Sequence, residues 1–234
     1  MHPLDNPVWQ ALTTSQQNLA LVSLLARKFP ADVSVLAAVA QPTAEAHAEL
    51  AQLAKGSTVG LFLEATERAP EGWTVDRQVD LMQMLHSGPI PSVPPSEHEF
   101  VELTGADVPE MMALTSLTNP GPFGTRTREL GAYLGIRRRG VLAAMTGERM
   151  RIPGYTEISA VCTHPGHLGH GYATALMVEL MRRIQRRGEK VFLHVRNDNK
   201  RAIELYQRLG FGQRYQFQYA VMRWQDQPVT AENR

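Results

Sequence analysis

The chain has 234 residues, 24 basic and 23 acidic side chains, and a net charge of +1. Hydrophobic residues make up 43% and charged residues 20%, which is typical of a folded globular protein and unlike a disordered or fibrous one. The near-neutral charge gives no bulk electrostatic reason to expect a nucleic-acid or anionic-membrane partner. A single cysteine, Cys162, excludes an internal disulfide and a cysteine-rich metal site.

The longest apolar stretches, residues 19–26 and 33–40, are too short to span a bilayer. The first residues lack the basic region and apolar core of a signal peptide. These features predict a cytoplasmic protein without a membrane partner.

A proline-rich segment suggests a boundary in the chain. Residues 89–96 contain four prolines, which favour a stiff, extended spacer because proline interrupts both helices and central strands. We therefore predict a smaller N-terminal α/β unit over residues 1–88, a larger domain over 97–226, and a flexible tail over 227–234.

The first unit is rich in alanine and leucine, and it carries no chemical motif. Apolar spacing predicts helices over residues 15–29 and 42–55, the second with Thr43 as its N-cap. Residues 59–63 read as a strand, and residues 75–85 as a strand leading into a short helix. This helix–helix–strand order suggests a degenerate partial copy of the fold of the second unit.

The second unit alternates strands and helices more regularly. We predict strands over residues 98–103, 132–137, 141–146, 156–163, 190–196 and 216–224, and helices over 107–117, 171–187 and 199–209. The helix over 171–187 is the clearest, because one face is apolar and the opposite face carries arginines. The fold class is therefore α/β or α+β, with a mixed central sheet flanked by helices.

The most informative segment is the turn between the strand at 156–163 and the helix at 171–187. Its glycines, Gly169 and Gly171, lie at the start of the helix, where free N–H groups and the positive dipole end attract a phosphate. An ordinary glycine-bearing turn has the same spacing. Neither a nucleoside-triphosphate loop nor a dinucleotide fold fits, since Tyr172 follows Gly171 and no acid closes the next strand.

The turn resembles the acetyl-CoA-binding motif of the GNAT superfamily of N-acetyltransferases, Arg/Gln-x-x-Gly-x-Gly/Ala. The motif falls on Leu168-Gly169-His170-Gly171-Tyr172-Ala173, with Leu168 in place of Arg or Gln. A later stretch resembles the family's second signature, Asn-x-x-Ala-x-x-x-Tyr-x-x-x-Gly-Phe, at Asn199, Ala202, Tyr206, Gly210 and Phe211. The likeness covers about residues 97–226.

The resemblance implies an acetyl-CoA-dependent N-acetyltransferase and assigns its cofactor-binding residues. Val161 and Thr163 would pair with the pantetheine arm, and Asn199 would bond near the thioester. The pyrophosphate would lie against Leu168, Gly169, His170, Gly171, Tyr172, Ala173 and Thr174. The backbone amide of Leu168 remains available, and a histidine of the turn could supply a side-chain donor.

The resemblance also implies that Tyr206 is the general acid, protonating the thiolate that leaves the thioester. A packed core tyrosine is the alternative. Glu157 is the first candidate for the general base, and period-two alternation places it on one strand face with Ser159 and Val161. Glu148 is the second candidate, and a structural salt bridge is the alternative for both carboxylates.

The histidines of the turn and the single cysteine are the remaining candidates for chemistry. His164, His167 and His170 recur every third residue, but the prolines and glycines between them argue against a metal site. Cys162 is expected to be a buried strand residue. The acceptor is a small-molecule or peptide amine of unknown identity, a homodimer is left open, and the alternative function is a non-catalytic acyl-CoA-binding sensor or interaction module.

Overall fold

The computed structural model describes residues 2–64, 69–92 and 98–225. The first half contains α1 (Pro7–Thr13), β1 (Leu21–Val22), β2 (Ala26–Lys28), β3 (Ala37–Val39), α2 (Ala44–Ala54), β4 (Val59–Leu63) and β5 (Trp73–His86). The second half contains β6 (Val101–Glu102), α3 (Val108–Thr118), β7 (Tyr133–Arg138), β8 (Val141–Ile152), β9 (Tyr155–Thr163), α4 (Tyr172–Arg186), β10 (Lys190–Arg196), α5 (Lys200–Arg208) and β11 (Phe211–Trp224).

Eight strands form the central sheet, in the order β4-β11-β5-β10-β9-β8-β7-β6. Strands β9 and β10 are parallel, and the other neighbours are antiparallel. The predicted mixed sheet is therefore confirmed. A smaller sheet, β1-β2-β3, adjoins it through a parallel bridge between Leu36 and Gly60.

Strands from both sides of the proline-rich segment build the same sheet. β4 and β5 precede that segment, and β5 lies between β10 and β11, which follow it. The predicted N-terminal unit and the predicted larger domain therefore share one sheet. Residues 93–97, which include the end of that segment, and residues 226–234, which include the predicted tail, lie outside the described residues.

The predicted helix over residues 15–29 is wrong. The chain makes a short 3-10 turn at Gln17–Leu19 and then enters β1 and β2, which pair with each other and with β3. The side chain of Val22, which a helix would have buried, is 55% exposed. Pairing with a distant strand overrides the local spacing here, and it removes the helix on which the suggested partial copy depended.

Other elements differ from prediction mainly in length. The segment predicted as strand and helix over 75–85 is a single strand, β5, because β11 pairs along it and β10 pairs with its last residues. The predicted strand over 98–103 shortens to β6, and the last strand begins at Phe211. Helix α2 has Thr43 as its N-cap, as predicted: the side-chain hydroxyl accepts a hydrogen bond from the Ala46 N–H.

The two faces of the sheet are covered by different parts of the chain. The apolar stripe of α4 is buried against one face together with residues of α5, as its spacing predicts. The other face is covered by the N-terminal segment from Leu4 to Ala38 and, beside it, by α3. We call these the helix face and the N-terminal face. Among the described residues, no helix is long and apolar enough to cross a membrane.

Candidate active site

A cleft begins where the two parallel strands stop pairing. Strands β9 and β10 pair at Tyr155, Thr156 and Glu157 of β9, and Glu157 stands opposite Phe192. β9 continues to Thr163, but no further pair joins it to β10 in the described part of the chain. The main-chain groups on this edge of β9 are therefore available to an extended ligand.

A β-bulge in β9 lies at the start of this free edge. Ala160 has a φ of 53°. The segment of β9 from Ser159 to Cys162 is one residue longer than the segment of β8 that pairs with it, from Met145 to Gly147. The extra residue reverses the alternation, so Val161 packs against the core of the helix face while Glu157 bonds with side chains on the opposite face. The prediction that Glu157 and Val161 share a strand face is therefore wrong.

Helix α4 offers its N-terminus to an anion. Its N-cap residue is Gly171, with a φ of 71°, no side chain caps the helix, and its first turn holds no acidic residue. The first intrahelical bond runs from the Ala175 N–H to the Gly171 carbonyl, at 3.0 Å. The amides of residues 172–174 thus point beyond the helix end, where the dipole favours negative charge.

The turn before α4 leaves room in front of these amides. A Cβ atom at Gly169 or Gly171 would meet no atom within 4 Å, and both glycines have the positive φ that other residues rarely adopt. The side chain of Leu168 is 48% exposed. These residues therefore fit a diphosphate group, which they would hold mainly through the backbone.

The side chains around this turn differ in what they offer a ligand. Tyr172 is buried, and its hydroxyl accepts a hydrogen bond from Arg138 Nε at 2.9 Å, so its backbone amide faces the turn while its ring belongs to the core. The exposed His170 ring stacks on that of Tyr172, at 5.3 Å between centroids. His164 Nδ1 accepts a hydrogen bond from the Gly166 N–H, which fixes the turn.

Tyr206 of α5 lies on the helix face, in the same hydrophobic cluster as Tyr172 and Val161. It is 9% exposed, and burial raises the pKa of its hydroxyl to about 12. The hydroxyl therefore stays protonated at neutral pH, and the raised pKa makes it a weaker acid than an exposed tyrosine. Asn199 is exposed and caps α5, because its Oδ1 accepts a hydrogen bond from the Ala202 N–H at 3.2 Å.

Glu157 is fully buried at the last position of β9 that pairs with β10. Arg149 donates to both its oxygens, at 2.8 Å from Nε and 2.5 Å from Nη2, and His194 Nδ1 lies 2.7 Å from Oε1. These partners outweigh the effect of burial and lower the pKa of Glu157 to about 2. A carboxylate with that pKa is a poor general base at neutral pH, so the environment does not favour the predicted role.

The hydrogen bonds continue beyond His194. Gln83 Nε2 donates to the Leu4 carbonyl and lies 3.0 Å from His194 Nε2, while Gln83 Oε1 accepts a hydrogen bond from Arg214 Nη1 at 2.7 Å. Gln83 thus donates to Nε2, and His194 is neutral with its proton on Nδ1, facing Glu157. Burial is the main cause that lowers the pKa of His194.

Sequence reasoning missed this buried network because its members come from separate strands. Arg149 and Glu157 lie on either side of the hairpin turn at Gly154, which was a usable signal. The predicted strand over 141–146 ended before Arg149, so their pairing was not seen.

Glu148, the second predicted base, lies opposite Ile158 of β9 and is held in an ion pair. It is 1% exposed and accepts a hydrogen bond from Arg187, the C-cap residue of α4, at 2.8 Å. A 15-residue helix is about 22 Å long, and Arg187 is at the end opposite to Gly171. Glu148 is therefore a structural carboxylate in an ion pair.

A small pocket lies on the N-terminal face, beside the start of the free edge of β9. It touches β9 at Ser159 and Ala160, just beyond the last paired residue. The described lining consists of Pro120, Gly121, Pro122, Phe123, Thr127, Tyr133, Arg149, Ser159 and Ala160. Arg149 is the charged residue in this lining, which includes no acid.

Two other predicted features can be placed. Among the described residues, no three His, Cys, Asp or Glu side chains are grouped so that they could hold a metal ion, the turn histidines included. Cys162 is buried, and burial raises the pKa of its thiol to about 11, which makes it a poor nucleophile at neutral pH.

Comparisons with known proteins agree with this geometry. A family model described as FR47-like protein matches residues 133–220. A solved acetyltransferase of the GNAT family from Novosphingobium aromaticivorans is 37% identical, with a TM-score of 0.88, covering 96% of this chain and 100% of its own. No curated protein matches the sequence.

More distant structures share the fold. A GCN5-related N-acetyltransferase from Kribbella flavida is 15% identical, with a TM-score of 0.58, covering 96% of this chain and 97% of its own. A GCN5-related N-acetyltransferase-like protein from Streptococcus suis is 14% identical, with a TM-score of 0.59 and coverages of 93% and 92%. At these identities the likeness concerns the fold alone.

Proposed function

Because the chain belongs to the GNAT family of acetyltransferases, we propose that it transfers the acetyl group of acetyl-CoA directly to a primary amine. The observation that carries this proposal is the uncapped N-terminus of α4 beside the free edge of β9. The first suits a diphosphate and the second an extended amide chain, which are the two parts of CoA that precede its sulfur.

The proposed binding mode uses mainly the backbone. The amides of Tyr172, Ala173 and Thr174 hold the diphosphate, with Gly169 and Gly171 leaving space for it. Leu168 contributes its amide, and His170 borders the same space. The pantetheine arm lies along β9, where Val161 and Thr163 offer main-chain groups, and Asn199 binds near the thioester end.

Acetyl transfer requires a neutral amine, which attacks the thioester carbonyl carbon. The new C–N bond forms, the C–S bond breaks, and the proton that the amine loses passes to solvent water, from which Tyr206 regains its own proton at the end of the cycle. The thiolate needs a proton in return. Tyr206 supplies it, since its hydroxyl is protonated at neutral pH and lies on the helix face with Val161. Glu157 acts by holding Arg149 rather than by taking the amine proton.

The test combines binding and turnover. Calorimetry with CoA should show binding, and acetyl-CoA with a panel of primary amines should release free thiol in step with acetylated amine. CoA binding without transfer to any amine would contradict the proposed enzyme and favour a non-catalytic acyl-CoA-binding module. Absence of CoA binding would contradict the cofactor site itself.

A further inference from the structure

The pocket on the N-terminal face, with room for a group about the size of one water molecule, lies beside the point where we place the thioester. This inference rests on the proposed function, because it takes the thioester to end near the point where β9 leaves β10. Ser159 and Ala160 stand at that point and also line the pocket. α4 covers the opposite face, so the pocket gives the acceptor a separate route to the thioester.

Glu157 bonds with only two of the three nitrogen atoms of the Arg149 guanidinium. Its Nε and Nη2 bond with the two oxygens of Glu157 side-on. Its Nη1 donates no hydrogen bond to any described residue, and the side chain, 18% exposed, lines the pocket. One end of the fork is thus fixed in the protein, and the other end can donate to a ligand.

The network behind Arg149 fixes its orientation. Glu157 accepts two hydrogen bonds from Arg149 and one from His194, which is held in turn by Gln83. A guanidinium held in this way loses little conformational freedom when it binds an anion. The acid-free lining means that no other carboxylate of the described residues competes for Nη1 inside the pocket.

We propose that the acceptor is an amine that carries a carboxylate, such as an amino acid, and that Arg149 Nη1 binds this carboxylate. Planar guanidinium groups recognise carboxylates through short, charge-assisted hydrogen bonds. The bond would hold the acceptor with its amine toward Ala160 and the cleft. Glu157 and His194 are then positioning residues for Arg149.

Matched acceptors test the proposal directly. Alanine and alaninamide, and phenylalanine and phenylalaninamide, differ in the carboxylate, and their rates are compared at equal concentrations of the neutral amine. Wild-type protein should show a kcat/KM at least about tenfold higher for each acid, mainly through KM. Equal values for acid and amide would overturn the proposal.

Variants assign the preference to Arg149. Arg149→Met is combined with Glu157→Gln so that no buried carboxylate is left without its cation. The double variant should lower the ratio of acid to amide to near one, whereas Glu157→Gln alone should lower it only in part, because the Gln amide oxygen still accepts one hydrogen bond from Arg149. Arg151→Met, on the same strand but with a side chain that pairs with Glu189, is the matched control and should leave the ratio unchanged. A preference that survives in the double variant would overturn the assignment.

A binding measurement separates this inference from the proposed function. Calorimetry compares N-acetylalanine with N-acetylalaninamide and needs no turnover. Tighter binding of the acid, lost in the double variant, supports the carboxylate site even if every amine fails as an acceptor, in which case the proposed function alone falls. The opposite outcome is acetyl transfer that shows no preference for acids, together with equal binding of the two products. That outcome would contradict the carboxylate site and would be consistent with the proposed function.

Discussion

Tyr206 carries the most specific chemical expectation at the residue scale. Replacing it with Phe keeps the ring packed beside Phe211, at 6.1 Å between centroids, and removes only the hydroxyl. We expect kcat to fall roughly a hundredfold or more, as is typical for loss of a general acid, while CoA affinity changes little. Thiol-release kinetics and calorimetry check this, and unchanged turnover would contradict the assignment.

For Glu157, we predict an effect on the free energy of unfolding rather than on proton transfer. Its pKa falls from an ordinary value of 4.5 to about 2 in the folded protein. The stabilisation is therefore fully present above pH 4.5 and is lost as the pH falls toward 2, which corresponds to roughly 3 kcal/mol.

Chemical denaturation at pH 7 and at pH 3 measures this effect. Glu157→Gln should lower the free energy of unfolding by about 3 kcal/mol at pH 7, since it leaves Arg149 without its buried partner, and by clearly less at pH 3. An equal loss at both pH values would contradict the ion pair. An acid limb in the pH–rate profile that disappears in Glu157→Gln, with stability unaffected, would restore Glu157 as the base.

Residues near one another in the sequence were predictable, and the buried network was not. The resemblance assigns Leu168 to Thr174 together, because they are contiguous in the sequence and lie at the start of one helix. Arg149, His194 and Gln83 meet only after three strands are in register, and the bulge at Ala160 breaks the alternation from which strand faces are inferred.

At the scale of the element, helix α4 offers one position that tests the diphosphate site and a second position that serves as its matched control. Gly171 and Gly188 flank the two ends of the helix, both with positive φ and with open space at the Cβ position. Glu at either position strains the backbone in the same way. We expect Gly171→Glu to abolish CoA binding, by placing a carboxylate where the diphosphate lies, and Gly188→Glu to leave it unchanged.

Calorimetry with CoA compares the two glycine variants. Equal affinities would show that the diphosphate does not bind at the start of α4. Equal losses of CoA affinity would show that both substitutions act by destabilising the helix and not by blocking an anion site.

The elements with strong local signals matched their predictions best. α4 has a buried apolar stripe and lies between Gly171 and Gly188, and β10 was predicted at its observed bounds, because such signals lie within or beside the element itself. The short strands β1 and β2 were read as helix because their apolar residues happen to recur at helical spacing. Their pairing with β3 depends on residues that local spacing does not include.

At the scale of the molecule, the sheet order makes the N-terminal unit part of the catalytic framework. β5 pairs with β10 on one edge and with β11 on the other. A fragment of residues 97–226 would lack this strand and the cover of the N-terminal face. We expect the fragment to be unfolded by circular dichroism and unable to bind CoA, and the whole chain to unfold in one transition.

Cooperative unfolding and CoA binding by the fragment would contradict this reading of the sheet. The sequence could not predict the arrangement, because a proline-rich segment is expected between domains as well as within one. Only the neighbours of β5 distinguish the two cases.

An isotopic label tests most directly whether the protein transfers the acetyl group of acetyl-CoA to an amine. Acetyl-CoA with an isotopically labelled acetyl group is mixed with the protein and a library of primary amines, and the masses of the products are measured by mass spectrometry. We expect the labelled acetyl group on an amine nitrogen, in an amount equal to the thiol released, for wild type and Gly188→Glu but not for Gly171→Glu. CoA binding without any labelled amine, or equal labelling by Gly171→Glu, would contradict it.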